Sequence, residues 1–439
     1  MTTLDTELPS ATRTREPKGF AAKYGFASFG LFLAITAPTF LALSFKVQTL
    51  VFASDGPHVS RLDSLAHVAT QYGLVSGAGA LFALVSQPLA GRLSDRTMSR
   101  FGMRRLWIVV GVIGAFIFLT IAGFAPNMAI LTVAFCLAQL FSNFAQAAES
   151  ATVADQVPVN RRGVISGIFG ACTPIAILVV ALGLPHLPGD GPKWAVPAFI
   201  GLVLGLIFAI TLKDRVLTVK PERPFDVKEF FSAFVFNPKT HSSLGWAWLT
   251  KAMIMSGYVG VVAFLTLYLA TNFGMNKTEQ AAFNGEAQTI SVVFMVIFSI
   301  VGGRLSDRFA RRRIFVTVAG IVAGVGILLV ASASLVGAGG LPIILVGMGV
   351  LGIGMGLFFA VDQAMCLDVL PNPQEAAKDL GVLNIANTLP GLLIPLLAGS
   401  LLLPIGRALF GNGYVLLFAF VAVVAIAGGA LVFKIKGVK

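Results

Sequence analysis

A chain of 439 residues that is 56% hydrophobic and only 12% charged carries about half the charged fraction of an ordinary soluble domain. Its apolar residues come in stretches long enough to cross a bilayer, which excludes a soluble globular protein and points to a multi-pass membrane protein with lipid as its first partner. The net charge of +12 could suit nucleic acid, but the basic residues sit in short loops between apolar runs, so they read as orientation signals and no nucleic-acid partner is expected.

Residues 1–18 are polar and mixed in charge. They read as a tail rather than a removable signal, because the first apolar run, Tyr24 to Phe52, is too long for a signal core. Apolar runs fall at 25–52, 67–91, 106–124, 128–156, 163–184, 195–212, 244–273, 282–303, 314–335, 341–366, 381–404 and 412–433. They predict an all-α membrane protein with twelve spanning helices, and an even number places both termini on one side. The tail brings Arg13, Arg15, Lys18 and Lys23 to that side, the loop after run two Arg92, Arg96, Arg100, Arg104 and Arg105, and the loop after run eight Arg304, Arg308, Arg311, Arg312 and Arg313. The opposite loops hold only Arg61, Lys193, Lys277 and Arg407. Both termini are therefore expected in the cytoplasm, with the chain in the plasma or inner membrane.

The expected organisation is a tail (1–23), a six-helix bundle (24–212), a polar linker (213–243), a second six-helix bundle (244–433) and a tail (434–439). In the linker, Phe225, Phe230, Phe231, Phe234 and Val235 alternate with Asp226, Lys228 and Glu229, a pattern for a short helix on the membrane surface or for a linker that merely touches lipid. Trp246 and Trp248 stand where an interfacial aromatic belt belongs. Cys136, Cys172 and Cys366 all lie in apolar runs and form no disulfide framework.

The hexapeptide Gly91-Arg92-Leu93-Ser94-Asp95-Arg96 recurs letter for letter as Gly303-Arg304-Leu305-Ser306-Asp307-Arg308, 212 positions later. Glu149, Asp155 and Pro158 likewise recur as Asp362, Asp368 and Pro371, each 213 positions later. The halves are tandem copies, expected to form a pseudo-symmetric pair. A glycine at a helix end allows a neighbouring backbone to come close. An aspartate just beyond it suits the positive N-terminal end of another helix, a contact worth about 0.3–2 kcal/mol.

Two six-helix halves, a middle loop on the basic side and this motif resemble the major facilitator superfamily of secondary transporters. The longer run to Arg100-Phe101-Gly102-Met103-Arg104-Arg105 is similar to that family's signature loop, while the second copy, ending Phe309-Ala310-Arg311-Arg312-Arg313, is shorter and lacks the glycine. The resemblance implies a latch that closes the cytoplasmic side. Asp95 would face the start of the eleventh helix near Lys378 and Gly381, and Asp307 the start of the fifth near Arg162 and Gly163. Asp155 and Asp368 would join the arginine clusters around Arg96, Arg100, Arg104 and Arg308. The plainer alternative is a positive-inside stop signal with incidental acids.

Ionisable groups inside hydrocarbon are functional candidates. Glu149 lies six residues before Asp155, so about 9 Å deeper at 1.5 Å per residue, and Asp362 takes the equivalent depth. Carboxyl groups in dry surroundings can exchange protons near neutrality, which makes Glu149 and Asp362 the expected coupling pair; alternatively both brace the latch. Lys251 could neutralise either acid or bind an anionic group of a solute, and Lys46 is expected to snorkel to water. Gln139, Asn143, Gln146 and Ser150 share one helix face, as do Asn284, Gln288 and Ser291; Asn384, Asn387 and Thr388 cluster similarly, and Gln363 extends the patch at Asp362. These amides either hold a hydroxyl-rich solute or glue helices together. Pro174, Pro390 and Pro395 supply kinks.

His58, His67, His186 and His241 are scattered in loops and at helix ends, and neither a phosphate loop nor zinc spacing occurs. No enzyme activity, metal or cofactor is expected, and energy should come from an ion gradient. The run Ser94 to Arg105, with Asp155-Gln156-Val157-Pro158, Arg162-Gly163 and Ser166-Gly167, resembles the glycoside–pentoside–hexuronide:cation symporters and sucrose-type carriers, with Met103 in place of their usual arginine. The second run has no acid before Asp95, so sodium is disfavoured and the proton favoured. The expectation is a monomeric, proton-coupled carrier of a small polar solute, sugar or glycoside first. A proton/drug antiporter with a Phe- and Met-rich interior is the rival, and a sensor or lipid-moving protein on the same fold the third reading.

Overall fold

The computed structural model describes residues 17–214, 216, 242–309, 311–368 and 376–435, all in helices or short connections. Twelve helices are long and apolar enough to cross a membrane. They are α1 (Phe20–Asp55), α2 (Arg61–Asp95), α3 (Arg105–Gly123), α4 (Met128–Gln156), α5 (Val159–Gly183), α6 (Gly191–Thr211), α7 (Ser242–Asn272), α8 (Lys277–Phe309), α9 (Arg312–Ala333), α10 (Leu341–Asp368), α11 (Ala376–Leu397, prolonged to Phe410) and α12 (Gly413–Leu431). The expected surface helix falls in the linker, outside the described residues.

Several helices outrun their apolar stretch, α2 and α8 by six or more residues at one end, because capping chemistry rather than hydropathy sets helix ends. Ser60 accepts the amide of Asp63 at 3.2 Å, and Asn127 that of Ile130 at 2.9 Å. At α8, Asn276 accepts the amides of Thr278 and Glu279 while the Glu279 carboxylate takes the Asn276 amide at 2.8 Å, a reciprocal cap. Two helices contain a wider π turn, Pro38–Ala42 in α1 and Ala398–Leu402 in α11, the latter just past Pro395.

The packing repeats itself six helices on. In the first half α1 lies against α5 and α6, α3 against α4 and α6, and α2 against α4. In the second half α7 lies against α11 and α12, α9 against α10 and α12, and α8 against α10. Two equivalent seams, α2 with α11 and α5 with α8, join the halves. Glycine permits close approaches at equivalent places in the two halves: a Cβ on Gly111 would meet the Ala145 amide of α4 at 2.6 Å, and one on Gly326 the Leu351 amide of α10 at 2.5 Å.

Burial is lopsided along the bundle axis. Phe40–Gln48 of α1 and Val261–Ala270 of α7 are buried on every side. Towards the face that carries the arginine loops, Gly91, Gly163, Gly167, Gly170 and Gly303 have nothing within 4 Å of where a Cβ would stand. The bundle is shut at one face and open at the other.

Candidate functional site

At the open, arginine-bearing face, Arg104 is the hub. It is buried, ion-paired with Asp95, and bonded to Asp155 at 2.9 Å and Ser94 at 2.6 Å. Burial works against its charge, but Asp155 and Asp95 outweigh that and hold its pKa above the ordinary arginine value. Arg162 donates to the Val157 and Ala154 carbonyls at 3.1 and 2.8 Å, closing the end of α4. Arg100 lies over the Phe101 ring at 4.8 Å, and Arg308 is exposed. Each described contact of this cluster lies within the first half. The motif glycines Gly91 and Gly303 face open space on this parted face. Asp95 is ion-paired with Arg104 of its own half. The side chains of Asp307, Asp368, Lys378, Gln363 and Asn384 lie outside the described residues.

One anchor of this loop escaped the sequence reading. Asp214, just past α6, accepts the backbone amides of Arg104 and Arg105 at 2.7 Å each, so it caps α3 from 110 positions away. Gly102, at φ +108°, leaves room for it, since a Cβ there would collide with the Asp214 side chain. The signal available was a lone acid beside a basic helix end. Asp214→Ala should lower stability by about 1–2 kcal/mol, read as a fall in the thermal unfolding temperature of the purified protein.

The opposite face is closed by contacts between the halves. Gln48 donates to Gln280 at 3.1 Å, Arg61 to the Gly274 and Met275 carbonyls at 3.1 and 3.2 Å, and Arg407 to Asp63 at 2.7 Å. Lys277 crosses to the Phe45 carbonyl at 3.0 Å, to Thr49 and to Asp190. Deeper in, Thr70 donates to the Gly399 carbonyl at 3.1 Å, and Asn284 to Phe40 O at 3.3 Å and Thr266 at 3.0 Å. Three of the four basic residues that break the loop-charge asymmetry, Arg61, Lys277 and Arg407, thus bridge the halves here. Lys46 lies beside this closure and is 8% exposed.

Between the faces lie the two membrane acids. Glu149 is buried and receives the hydroxyl of Ser28 from α1, with Tyr24 and Cys172 within electrostatic reach. No cation pairs with it among the described residues. Asp362, its counterpart, is ion-paired with Lys251 of α7 at 2.6 Å, both side chains nearly inaccessible. In each half, then, the first and fourth helices join at the acid, through a hydroxyl in one and an ammonium in the other. Of the alternatives open to Lys251, the structure takes Asp362. Spacing alone could not reveal Ser28 as the partner of Glu149, 121 positions away.

Three amides of the stripes are engaged by the protein itself. Asn143 donates to the Gln139 carbonyl at 2.8 Å, Gln87 to Gln146 at 3.5 Å, and Asn284 joins the closure. Asn387 lies half-buried in α11. Gln288 differs, being fully buried with neither amide atom partnered among the described residues. Among the described residues no group of His, Cys, Asp and Glu is placed to hold a metal.

A family model described as Major Facilitator Superfamily matches residues 24–285 and 247–438. Multidrug resistance protein MdtG of Citrobacter koseri is 25% identical over 265 residues, 59% of this chain and 63% of that protein. The protein of the same name from Escherichia coli is 24% identical over 59% of this chain and 62% of its own length. The chain thus spans less than two thirds of these relatives. Among solved structures, a POT family transporter in complex with a thioalcohol-conjugated peptide superposes with a TM-score of 0.71 at 14% identity, covering 98% of this chain and 99% of that one. A D-xylose–proton symporter gives 0.68 at 13%, covering 96% and 98%, and the nucleoside transporter NupG 0.69 at 11%, covering 95% and 100%. At such identities these likenesses speak for the fold alone.

Proposed function

Because the chain belongs to the major facilitator superfamily it is a membrane transporter, and we propose that it works by alternating access, couples to protons at Glu149 and exports apolar compounds. The observation that carries the reading is a buried acid whose described polar partner is a hydroxyl, while its counterpart Asp362 already holds Lys251. Charge on a buried carboxyl without a counter-ion is expensive, and a proton neutralises it at least cost. Asp362, with its ammonium neighbour, has no such need and is a bracing ion pair.

Loop charge supports a cytoplasmic arginine-bearing face, and on that reading the described state opens inward. Glu149 would release its proton to the cytoplasm as a solute enters between the halves. Closing the arginine-bearing face and parting the opposite one would then exchange solute for a new proton. Two observations favour an apolar cargo: the curated relatives are named for multidrug resistance, and Asn143, Gln146 and Asn284 of the membrane amides are engaged by the protein itself. A second reading, proton-linked uptake of a sugar or other hydroxylated solute, draws on the unpartnered amide of Gln288.

Proteoliposomes with an imposed pH gradient separate the readings. Proton efflux stimulated by apolar compounds supports export, uphill accumulation of labelled sugar supports uptake, and neither points to a sensor or lipid-moving role. The proposed latch is testable through the same cycle. Asp95→Asn should weaken the closed arginine-bearing face and raise thiol labelling at Gly167→Cys in a background lacking the native cysteines. Unchanged labelling would reduce Asp95 to a local partner of Arg104.

A further inference from the structure

Where the seam of α2 with α11 meets the shut face, the halves leave a cavity of about 630 Å³ between them, within the range of roughly 300–1,000 Å³ usual for small-molecule sites. Its walls come from α2 of the first half and from α7, α11 and the start of α12 in the second. Leu65, Ala66, Leu403 and Pro404 supply apolar lining. The polar lining is short of free donors. Thr70 directs its hydroxyl proton to the Ala66 and Gly399 carbonyls at 3.2 and 3.1 Å, Thr271 to the Leu267 carbonyl at 2.8 Å, and Asn412 its amide to Ser334 at 3.0 Å. Asn272, the last residue of α7, also lines the cavity, and its carbonyl oxygen is shielded from solvent with no hydrogen-bond partner among the described residues. The half-exposed Arg407 is ion-paired with Asp63 at 2.7 Å, so the pair adds no net charge.

We propose that this cavity binds an uncharged amphiphile of drug size, whose hydroxyl groups donate to Asn272 and the threonine oxygens while its apolar body lies on Leu65, Ala66, Leu403 and Pro404. The oxygens of Thr70 and Thr271 keep lone pairs to offer. The Asn272 oxygen, costly while unsatisfied, gains a partner by a turn of its amide towards the ligand. A cation would sit beside Arg407 without a counter-charge of its own, and an anion would find that guanidinium already taken by Asp63. Because the walls belong to both halves, the cavity has this form only while the face is shut, and a bound molecule favours that state. That preference bears on transport through the alternating access proposed above, whereas the site itself stands whatever the chain carries.

The test follows thiol labelling of Ala408→Cys, an exposed position on the cavity wall, in the full-length protein without its native cysteines and held in lipid nanodiscs. Monooctanoylglycerol, uncharged and with a hydroxyl-bearing head, should slow this labelling saturably. Methyl octanoate, with the same chain and no donor, should not. Ala282→Cys, exposed on α8, which takes no part in the cavity, should label at an unchanged rate with either ester. Asn272→Leu should raise the half-protecting concentration about tenfold, because the ligand hydroxyl loses its partner. If that variant fails to fold, the contrast between the two esters decides. Equal protection by both esters, equal slowing at Ala282→Cys, protection by octylammonium alone, or no protection at all overturns the proposal. With the site occupied, labelling at Gly167→Cys should rise; an unchanged rate there beside protection at Ala408→Cys keeps the site and removes its hold on the cycle.

Discussion

Glu149→Gln should abolish proton-driven transport while leaving downhill movement of solute in place. Glutamine keeps the shape of the buried side chain and can still meet the Ser28 hydroxyl, but it neither takes up nor releases a proton. The conformational cycle would then turn without regard to the pH gradient. In proteoliposomes the accumulation ratio should fall to its equilibrium value, and solute should no longer drive proton flux. Solute exchange across symmetric buffers should persist. Asp362→Asn is the contrasting variant. If it uncouples transport and Glu149→Gln does not, coupling belongs to the second half. Ser28→Ala should leave coupling in place but change its pH profile, because it removes the described hydrogen-bond donor to the acid.

Lys251→Met should cause the largest loss of stability of any single substitution considered, about 3–5 kcal/mol, because it removes the ammonium that faces the buried Asp362 carboxylate. The two side chains are almost wholly shielded and meet at 2.6 Å, so water cannot stand in for the missing ammonium. The double variant Lys251→Met/Asp362→Leu removes both charges and should recover most of the loss, since a buried ion pair replaced by packed apolar groups is often neutral. Thermal unfolding of the three proteins checks this. Equal stability of the single and double variants would mean that the pair is no brace.

The duplication and the helix count were legible because each depends on local composition or on comparing the chain with itself. What was not legible depends on which segments meet. Ser28 and Glu149 are 121 positions apart, and Asp214 and Arg104 are 110 apart, so no spacing rule links them. Which face is shut is a property of one conformation, and the same residues must serve both. The motif around Asp95 describes hinge and loop mechanics, so its likeness to sugar symporters carries little about the cargo. Arg61, Lys277 and Arg407 did carry a signal: basic residues kept against the loop-charge trend need another reason to be there, and bridging the halves is that reason.

The π turns at Pro38–Ala42 and Ala398–Leu402 have a geometric effect on everything downstream of them. One surplus residue in a helix of 3.6 per turn swings each later side chain through about 100°. Gln48 and Thr49 on α1 and Arg407 on α11 all stand past such a point and all reach across the junction. Their aim is therefore dialled in by a single insertion in each helix, and trimming one residue from either turn would point these side chains into lipid or back into their own bundle.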